Sequence, residues 1–265
     1  MRLYSIASGS SGNCIYIENE TTHLLVDAGI SGKRVIEGLE AIGRTLLDLD
    51  AVLITHEHDD HIKGLGVLLR KAPIPVYTTG ATITALLSYS KLGKVDGALF
   101  HEIAVDQPFA IKDIMVDASA IWHDAADPVC YSFRDESGKI SVATDMGDFD
   151  DYLLNKLTGS DLMLIESNHD VRMLEANQRY SYPLKKRILG PRGHLSNERS
   201  AELMVALMQR YSSRFIVLGH LSRDNNIPEC AKINMENYLR EAGFDRSGVE
   251  VLVAKRDTPS VDFSI

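Results

Sequence analysis

Short apolar runs rich in β-branched residues alternate along the chain with longer segments in which apolar residues recur at helical spacing. Most of the apolar runs are bounded by Gly, Asn or Pro, which predicts strands. The predicted strands are residues 3–6, 14–17, 23–26, 51–54, 76–78, 114–119, 129–134, 140–143, 162–165, 215–218 and 249–254. The predicted helices are residues 31–42, 81–89, 196–210 and 228–242. Strands flanked by helices in both halves predict two packed sheets with helices outside.

Residues 55–61, which read Thr-His-Glu-His-Asp-Asp-His, follow one predicted strand and place three histidines among acidic residues. Imidazole and carboxylate groups are ligands that Zn, Mn and Fe prefer, and the absence of cysteine argues against a structural zinc site. In extended chain His56 and His58 point the same way and can hold one ion. If a helix begins near Asp60, that carboxylate and His61 can turn toward a second ion. A charged surface turn is the alternative interpretation.

Four further candidates for metal ligation follow other apolar runs, where strand ends are expected. They are Asp27, His123, Asp145 and His220. Taken singly, such a residue is more often part of a turn or a satisfied polar group. Their joint placement at strand ends favours a shared metal site with the histidine cluster.

The composition sets limits on compartment and partners. Three scattered cysteines in 265 residues imply no disulfide framework and a reducing compartment. The first residues lack a long apolar stretch, and no run approaches the roughly 18 apolar residues of a membrane span, so we expect a cytoplasmic protein without a membrane partner. The formal charge of −9 argues against a surface that coats nucleic acid in general, but it leaves room for a local basic patch.

The pattern Thr-His-x-His-x-Asp-His at residues 55–61 resembles the signature of metallo-β-lactamase fold hydrolases. The resemblance covers nearly the whole chain and implies an α/β (α+β) fold, a four-layer αββα sandwich, with residues 1–265 as a single domain. It also implies the role of each candidate ligand. One ion would be held by His56, His58 and His123, a second by Asp60, His61 and His220, with Asp145 between them and Asp27 orienting the histidine loop.

Within that superfamily the chain is more similar to the YycJ/WalJ-type proteins, which are related to the PhnP and RNase Z phosphodiesterases. The similarity lies in residues 8–13, 123–125, 166–170, 187–188 and 193–197. It implies two divalent ions (Zn or Mn, with Fe also compatible) and a phosphodiesterase that acts on DNA ends. No inserted arm of the kind that grips tRNA in long RNase Z proteins is visible, which argues against tRNA processing.

The expected chemistry is in-line displacement by a hydroxide that bridges two ions. Asp60 and Asp145 would act in this step, and His194 would protonate the leaving oxygen. The sequence before the predicted helix 196–210 places His194 in a loop, where a catalytic side chain can be presented. A surface residue at the start of that helix is the alternative.

Substrate contacts are expected from three segments, each with a structural alternative. Ser10 and Asn13 lie in a Ser/Gly-rich segment that forms either an anion-binding nest or a hairpin turn. His169 either lines the cleft or caps the following helix. Arg187 and Arg192 belong to the one dense basic cluster, residues 185–192, which either binds phosphate or is a solvated face.

The sequence therefore predicts a dinuclear metal-dependent phosphodiesterase, in particular a DNA exonuclease of 5′-to-3′ polarity. Two other classes stay open. One is a small-molecule hydrolase that acts on a cyclic phosphodiester or, like glyoxalase II, on a thioester. The other is a non-catalytic regulatory or binding protein that retains the fold.

Overall fold

The computed structural model describes residues 1–244 and 248–265. Its strands are β1 (Arg2–Ala7), β2 (Cys14–Glu18), β3 (His23–Val26), β4 (Ala51–Leu53), β5 (Val76–Thr79), β6 (Phe100–Ile103), β7 (Phe109–Ile111), β8 (Ile114–Ala120), β9 (Val129–Asp135), β10 (Gly138–Ala143), β11 (Leu162–Glu166), β12 (Phe215–Gly219), β13 (Glu250–Val253) and β14 (Ser260–Ser264). Its α-helices are α1 (Gly32–Glu40), α2 (Asp59–Ile62), α3 (Leu65–Lys71), α4 (Gly80–Ser88), α5 (Asp151–Leu157), α6 (Val171–Ala176), α7 (Tyr182–Ile188), α8 (Asn197–Met208) and α9 (Pro228–Glu241).

The strands form two seven-stranded sheets of the same design. The first has the order β14-β1-β2-β3-β4-β5-β6 and the second β13-β12-β11-β10-β9-β8-β7. In each sheet the pairs at one end are antiparallel and those at the other are parallel, with β3 to β6 parallel in the first sheet and β10 to β13 in the second. Parallel strands bring their carboxyl ends to one edge, where the loops that follow them can meet.

Three separate hydrophobic clusters show how the layers pack. The central cluster joins strand residues of both sheets, such as Leu24 and Tyr131, which are fully buried. A second cluster packs the first sheet against helices α1 and α3, and a third packs the second sheet against α8 and α9. Because each sheet buries one face on the other sheet and one face on helices, the expected four-layer αββα sandwich is confirmed.

All eleven predicted strands and all four predicted helices are present, with ends shifted by a few residues at most. Three strands were missed, namely β6, β7 and β14. Each lies at the edge of a sheet. β6 and β14 carry exposed polar positions and β7 has only three residues, so none of them shows a long apolar run. Five helices were also missed, although one of them, α2, begins at Asp59, next to the conditional helix start near Asp60. These helices have four to seven residues, too few to show a clear helical period.

Within the described residues, no helix has the length and apolar character needed to span a bilayer. Cys14 and Cys130 are buried, Cys230 is exposed, and all three are free thiols.

Candidate metal centre

The candidate ligands from both sheets meet at one edge of the sandwich. They fall into two groups in which the ligand atoms lie within 4.8 Å of one another. The first group is His56, His58 and His123, and the second is Asp60, His61, Asp145 and His220. The structure thus brings together all seven residues that the resemblance implied as ligands, in the same two sets.

In the first group the ring nitrogens converge, and one has no other partner. His58 Nδ1 and His123 Nε2 are 3.2 Å apart, while His123 Nδ1–H donates to the carbonyl of Gly193 at 3.2 Å. His56 Nε2 is buried without a hydrogen-bond partner, and its Nδ1 lies 3.0 Å from the Thr55 hydroxyl. Because a buried nitrogen without a partner costs free energy, this one fits a metal ligand.

Asp145 lies between the two groups. Its carboxylate oxygens are 3.0 Å from His61 Nε2, 3.6 Å from His220 Nε2 and 3.7 Å from His123 Nε2. Asp60 Oδ2 completes the second group at 3.4 Å from His220 Nε2. The carboxylate of Asp145 is almost fully buried, and Oδ2 has no hydrogen-bond partner. A carboxylate placed in this way can contact an ion in each group.

Asp27 is hydrogen-bonded to the loop that carries the histidines. Its Oδ1 accepts hydrogen bonds from the backbone N–H and the hydroxyl of Thr55, and its Oδ2 accepts from His61 Nδ1–H at 2.7 Å. The last bond fixes which nitrogen of His61 faces the second group. The predicted role of Asp27, orienting the histidines, agrees with these contacts.

The backbone after β3 also fixes the loop. The N–H of Ala28 donates to the carbonyl of His61, and the N–H of Asn13 donates to the carbonyl of Asp60, both at 2.8 Å. Gly29 passes so close that a Cβ built on it would lie 1.6 Å from the Asp60 carbonyl oxygen. Only glycine allows this approach, so the sequence Asp27-Ala28-Gly29 positions two ligands through side chain and backbone together.

Glu166, at the end of β11, is a site residue that the sequence interpretation did not assign. It is fully buried, and its Oε1 accepts from Nδ1–H of both His194 and His220 at 2.8 Å. Its Oε2 accepts from the backbone N–H groups of Met146 and Leu195. Glu166 follows an apolar run just as Asp145 and His220 do, and this placement was the available signal.

Three site residues that lie one or two positions after the end of a strand have left-handed backbone conformations. They are Asp27 (φ 60°), Asp145 (φ 61°) and His220 (φ 54°). Residues other than glycine rarely adopt positive φ, and histidine and aspartate do so more often than most. Strain of this kind clusters at functional sites because it aims a side chain that a regular strand would point elsewhere.

Charge and burial act in opposite directions on the histidines. Burial dominates at His56 and His123 and lowers their pKa, so both favour the neutral form that ligates metal. At His220 burial is outweighed by Asp145, Asp60 and Glu166, which raise the pKa to about 10. The same carboxylates that attract a proton there would attract a divalent cation.

Glu166 and His194 form the other charged pair of the site. Burial raises the pKa of Glu166 but is outweighed by His194 and His220, which bring it down to about 2. Burial lowers the pKa of His194, but Glu166 outweighs burial and raises it above the usual range. The residues present fit divalent metal ions, because they combine orphaned buried ligand atoms with three carboxylates that favour the ionised state.

Members of both ligand groups, together with His194, line an open cleft of about 690 Å³. The lining includes residues of α2, of the segment after α4 and of the segment around α7. The cleft is lined by Ser10, Ser11, His58, Asp59, Asp60, Ile62, Lys63, Tyr89, Lys91, Leu92, His123, Asp124, Asp145, Asn168, Tyr180, Leu184, Arg187, Ile188, Gly193, His194, His220 and Ser222. His194 therefore faces the cleft with the metal groups, although it precedes α8 in the chain.

Of the five residues that were predicted to contact substrate, two line the cleft and three do not. Ser10 and Arg187 line the cleft, and Arg187 forms an ion pair with Asp124. Asn13 is buried, and its amide nitrogen lies 3.1 Å from His61 Nε2, so it contacts a ligand rather than the cleft. His169 and Arg192 are absent from the lining of the cleft. The cap of α6 is Asp170 and not His169, because the shorter aspartate side chain accepts from the N–H of Met173.

The sequence and the fold are similar to those of several known proteins. A model of the beta-lactamase superfamily domain matches residues 22–221. The exodeoxyribonuclease WalJ of Streptococcus pneumoniae is 43% identical over 240 residues, which cover 90% of this chain and 88% of that protein. The exodeoxyribonuclease YycJ of Bacillus anthracis is 38% identical over 247 residues, which cover 90% and 89%. The metallo-β-lactamase fold protein YhfI of Bacillus subtilis has a TM-score of 0.73 at 18% identity over 99% of both chains, a similarity of fold.

Proposed function

Because this chain belongs to the beta-lactamase superfamily, we propose that it is a metal-dependent exodeoxyribonuclease that digests DNA from 5′ ends, with residues 1–265 acting as one domain. The observation that carries the proposal is the pair of ligand groups around Asp145, with His194, which is held by the buried Glu166, in the lining of the same cleft. Two relatives that are similar over about nine-tenths of the chain bear the name exodeoxyribonuclease.

Two divalent ions, Zn or Mn, would be held by the two groups, one by His56, His58 and His123 and the other by Asp60, His61 and His220, with Asp145 contacting both. When bound, such ions supply an activated water and neutralise charge on the phosphate. The fold contributes the fixed positions of the ligands. Asp27 keeps His61 in one tautomer, and Glu166 does the same for His220, because each accepts from the Nδ1–H of its histidine.

His194 is the proton donor in this proposal. Glu166 accepts from its Nδ1–H, which fixes the ring and leaves Nε2 to donate a proton to the leaving oxygen. The side chain is 23% exposed at the cleft, so a substrate can reach it. Substituting His194 by Ala should slow hydrolysis of DNA, whose leaving alkoxide needs a proton, far more than hydrolysis of p-nitrophenyl esters.

The charge distribution supports a substrate held at its end. A chain of net charge −9 repels DNA in general, so favourable contacts with phosphate depend on local groups of cations. Lys63, Lys91 and Arg187 line it, and the planar guanidinium of Arg187 can contact two phosphate oxygens. Arg192 lies outside this lining, and a role for it would have to be in strand contacts beyond the cleft.

The test is a comparison of substrates with metal-reconstituted protein. The substrates are 5′-phosphorylated DNA, the same strand as RNA, bis-p-nitrophenyl phosphate and a thioester. We expect metal-dependent release of nucleotides from DNA, abolished by Asp145→Ala and retained by Asp151→Ala, whose side chain is 90% exposed on α5. Faster hydrolysis of the thioester than of any phosphodiester would instead select a small-molecule hydrolase. If no substrate is turned over, the result would favour a non-catalytic regulatory or binding protein.

A further inference from the structure

Two tyrosines line the cleft that contains the metal groups. Tyr89 directly follows α4, and Tyr180 precedes α7. Both are half-buried, so part of each side chain is in contact with the cleft. The sequence pattern gave no reason to select them, because the segments that contain them come together only in the folded chain.

Each tyrosine is held in place by its hydroxyl group. The Tyr89 hydroxyl donates to Asp59, and the Tyr180 hydroxyl donates to Asp224 Oδ2 at 3.3 Å. A ring fixed at both ends, by the backbone and by the hydroxyl, loses little conformational freedom when a flat ligand packs against it. The orientation of each ring is therefore fixed before a planar group binds.

Two cations line the same cleft, and one of them lies next to a tyrosine. Lys91 Nζ lies 5.5 Å from the centroid of the Tyr89 ring and 2.8 Å from Asp59 Oδ2. Arg187 also lines the cleft and pairs with Asp124. Asp59 and Asp124 each follow a candidate ligand, His58 and His123, directly in the chain. Both cations are thus paired with residues that adjoin candidate ligands, and Lys91 also lies beside the Tyr89 ring.

Rings and cations in one groove are the two components that bind a single nucleic acid strand, since bases stack on aromatic faces and the backbone follows the positive charge. The cleft volume, about 690 Å³, falls in the range that encloses a drug-sized ligand, roughly 300–1,000 Å³. It therefore has room for a few nucleotides of one strand. It cannot enclose a length of duplex.

We propose that the cleft takes a DNA end as an unpaired strand whose terminal bases stack on Tyr89 and Tyr180. This inference rests on the proposed function and adds the form of substrate that reaches the metal groups. It makes the two tyrosines specificity-determining residues for strand ends. It also requires a duplex end to open before cleavage, at the cost of unpairing the terminal bases.

Removal of the base and removal of the ring can be combined to test for direct stacking. The substrates are a 5′-phosphorylated strand and the same strand with abasic spacers in place of its first nucleosides, so that phosphates are retained. The proteins are the wild type, Tyr89→Ala, Tyr180→Ala, the matching Phe variants and Tyr182→Ala. Tyr182 is a matched control because it is 78% exposed on α7 and is not in the lining of the cleft. Bound metal is measured for every protein.

The wild type should prefer the natural strand over the abasic one by about 10- to 100-fold in kcat/KM, as expected for loss of stacked bases. Each Ala variant should lower this ratio, and the double Ala variant should bring it close to 1. The Phe variants, which keep the ring, should retain most of the preference, and Tyr182→Ala should retain all of it. A blunt duplex with two mismatched terminal pairs should be digested faster than the matched duplex.

Three outcomes would overturn the inference. One is a preference for natural ends that survives in the double Ala variant. Another is an equal loss on both strands, which would give the tyrosines a structural role. The third is equal rates on matched and mismatched duplex ends, which would contradict entry of an unpaired strand. Failure of the proposed function itself looks different, since neither strand would then be cleaved by any of the proteins.

Discussion

Substitution of Gly29 by alanine tests whether the backbone after β3 positions the metal loop. Gly29 does not have a positive φ, so alanine meets no conformational penalty there and the change acts through space alone. Its Cβ would lie 1.6 Å from the carbonyl oxygen of Asp60, 2.1 Å from the carbonyl carbon and 2.7 Å from the backbone nitrogen of His61. These are backbone atoms of two candidate ligands, and they cannot rotate away as a side chain can.

The size of the effect follows from these distances. A Cβ is essentially never found within 3.0 Å of another heavy atom, so the Asp60 carbonyl must move by about 1.4 Å or the segment at Gly29 must move away from it. Either movement strains the hydrogen bond from Asn13 N–H to that carbonyl and the bond from Ala28 N–H to the carbonyl of His61. Overpacking of this kind costs about 1–3 kcal/mol of stability, and a misplacement of ~1 Å can cost about 100-fold in rate.

The assay has three readouts on Gly29→Ala: bound metal per chain, the midpoint of thermal unfolding and kcat on 5′-phosphorylated DNA. We expect loss of metal from the group that contains Asp60 and His61, and at least a 100-fold lower kcat in protein that is still folded. Gly97→Ala is the matched control, since a Cβ there has nothing within 4 Å. Metal content and kcat within twofold of wild type in Gly29→Ala would refute the reasoning.

Other variants separate the remaining roles. Asp27→Asn keeps the shape but weakens the acceptor for His61 Nδ1–H, so metal affinity should fall by about 10- to 100-fold in a competition titration with a chelator, and unchanged affinity would contradict that role. Glu166→Gln removes the charge that raises the pKa of His194. If protonated His194 is needed, the alkaline limb of the pH–rate profile should move to lower pH, and an unmoved limb would assign proton donation elsewhere. Arg187→Ala should raise KM for DNA and reduce its salt dependence more than Arg192→Ala, because only Arg187 lines the cleft, and equal effects would argue against that difference.

The strands and the candidate ligands could be predicted because their signals are local, whereas the four-layer fold and the two ligand groups were implied by the family resemblance. An apolar β-branched run followed by a histidine or aspartate indicates a strand end with a side chain at the sheet edge, and Asp27, Asp145 and His220 all follow that rule. The left-handed backbone at these residues was not predictable from residue type, yet it is what turns each side chain toward the site.

Features that depend on distant pairing were missed for a physical reason. β14 pairs with β1 across almost the full length of the chain, so its edge position cannot be recognised from its own five residues. Glu166 is recognisable as a site residue only once His194 and His220 lie beside it. The same holds for Tyr89 and Tyr180, whose shared cleft is a product of tertiary packing.

The central claim is that two divalent ions, held by the two groups around Asp145, are needed for cleavage of DNA. The most direct measurement titrates metal-free protein with Mn²⁺ or Zn²⁺ and follows bound ions and the release of nucleotides from 5′-phosphorylated DNA in the same samples. The account predicts that cleavage appears as the second ion binds, and that Asp145→Ala shows no cleavage at any metal concentration. Full cleavage with one ion or none, or two bound ions without cleavage of DNA, would contradict it.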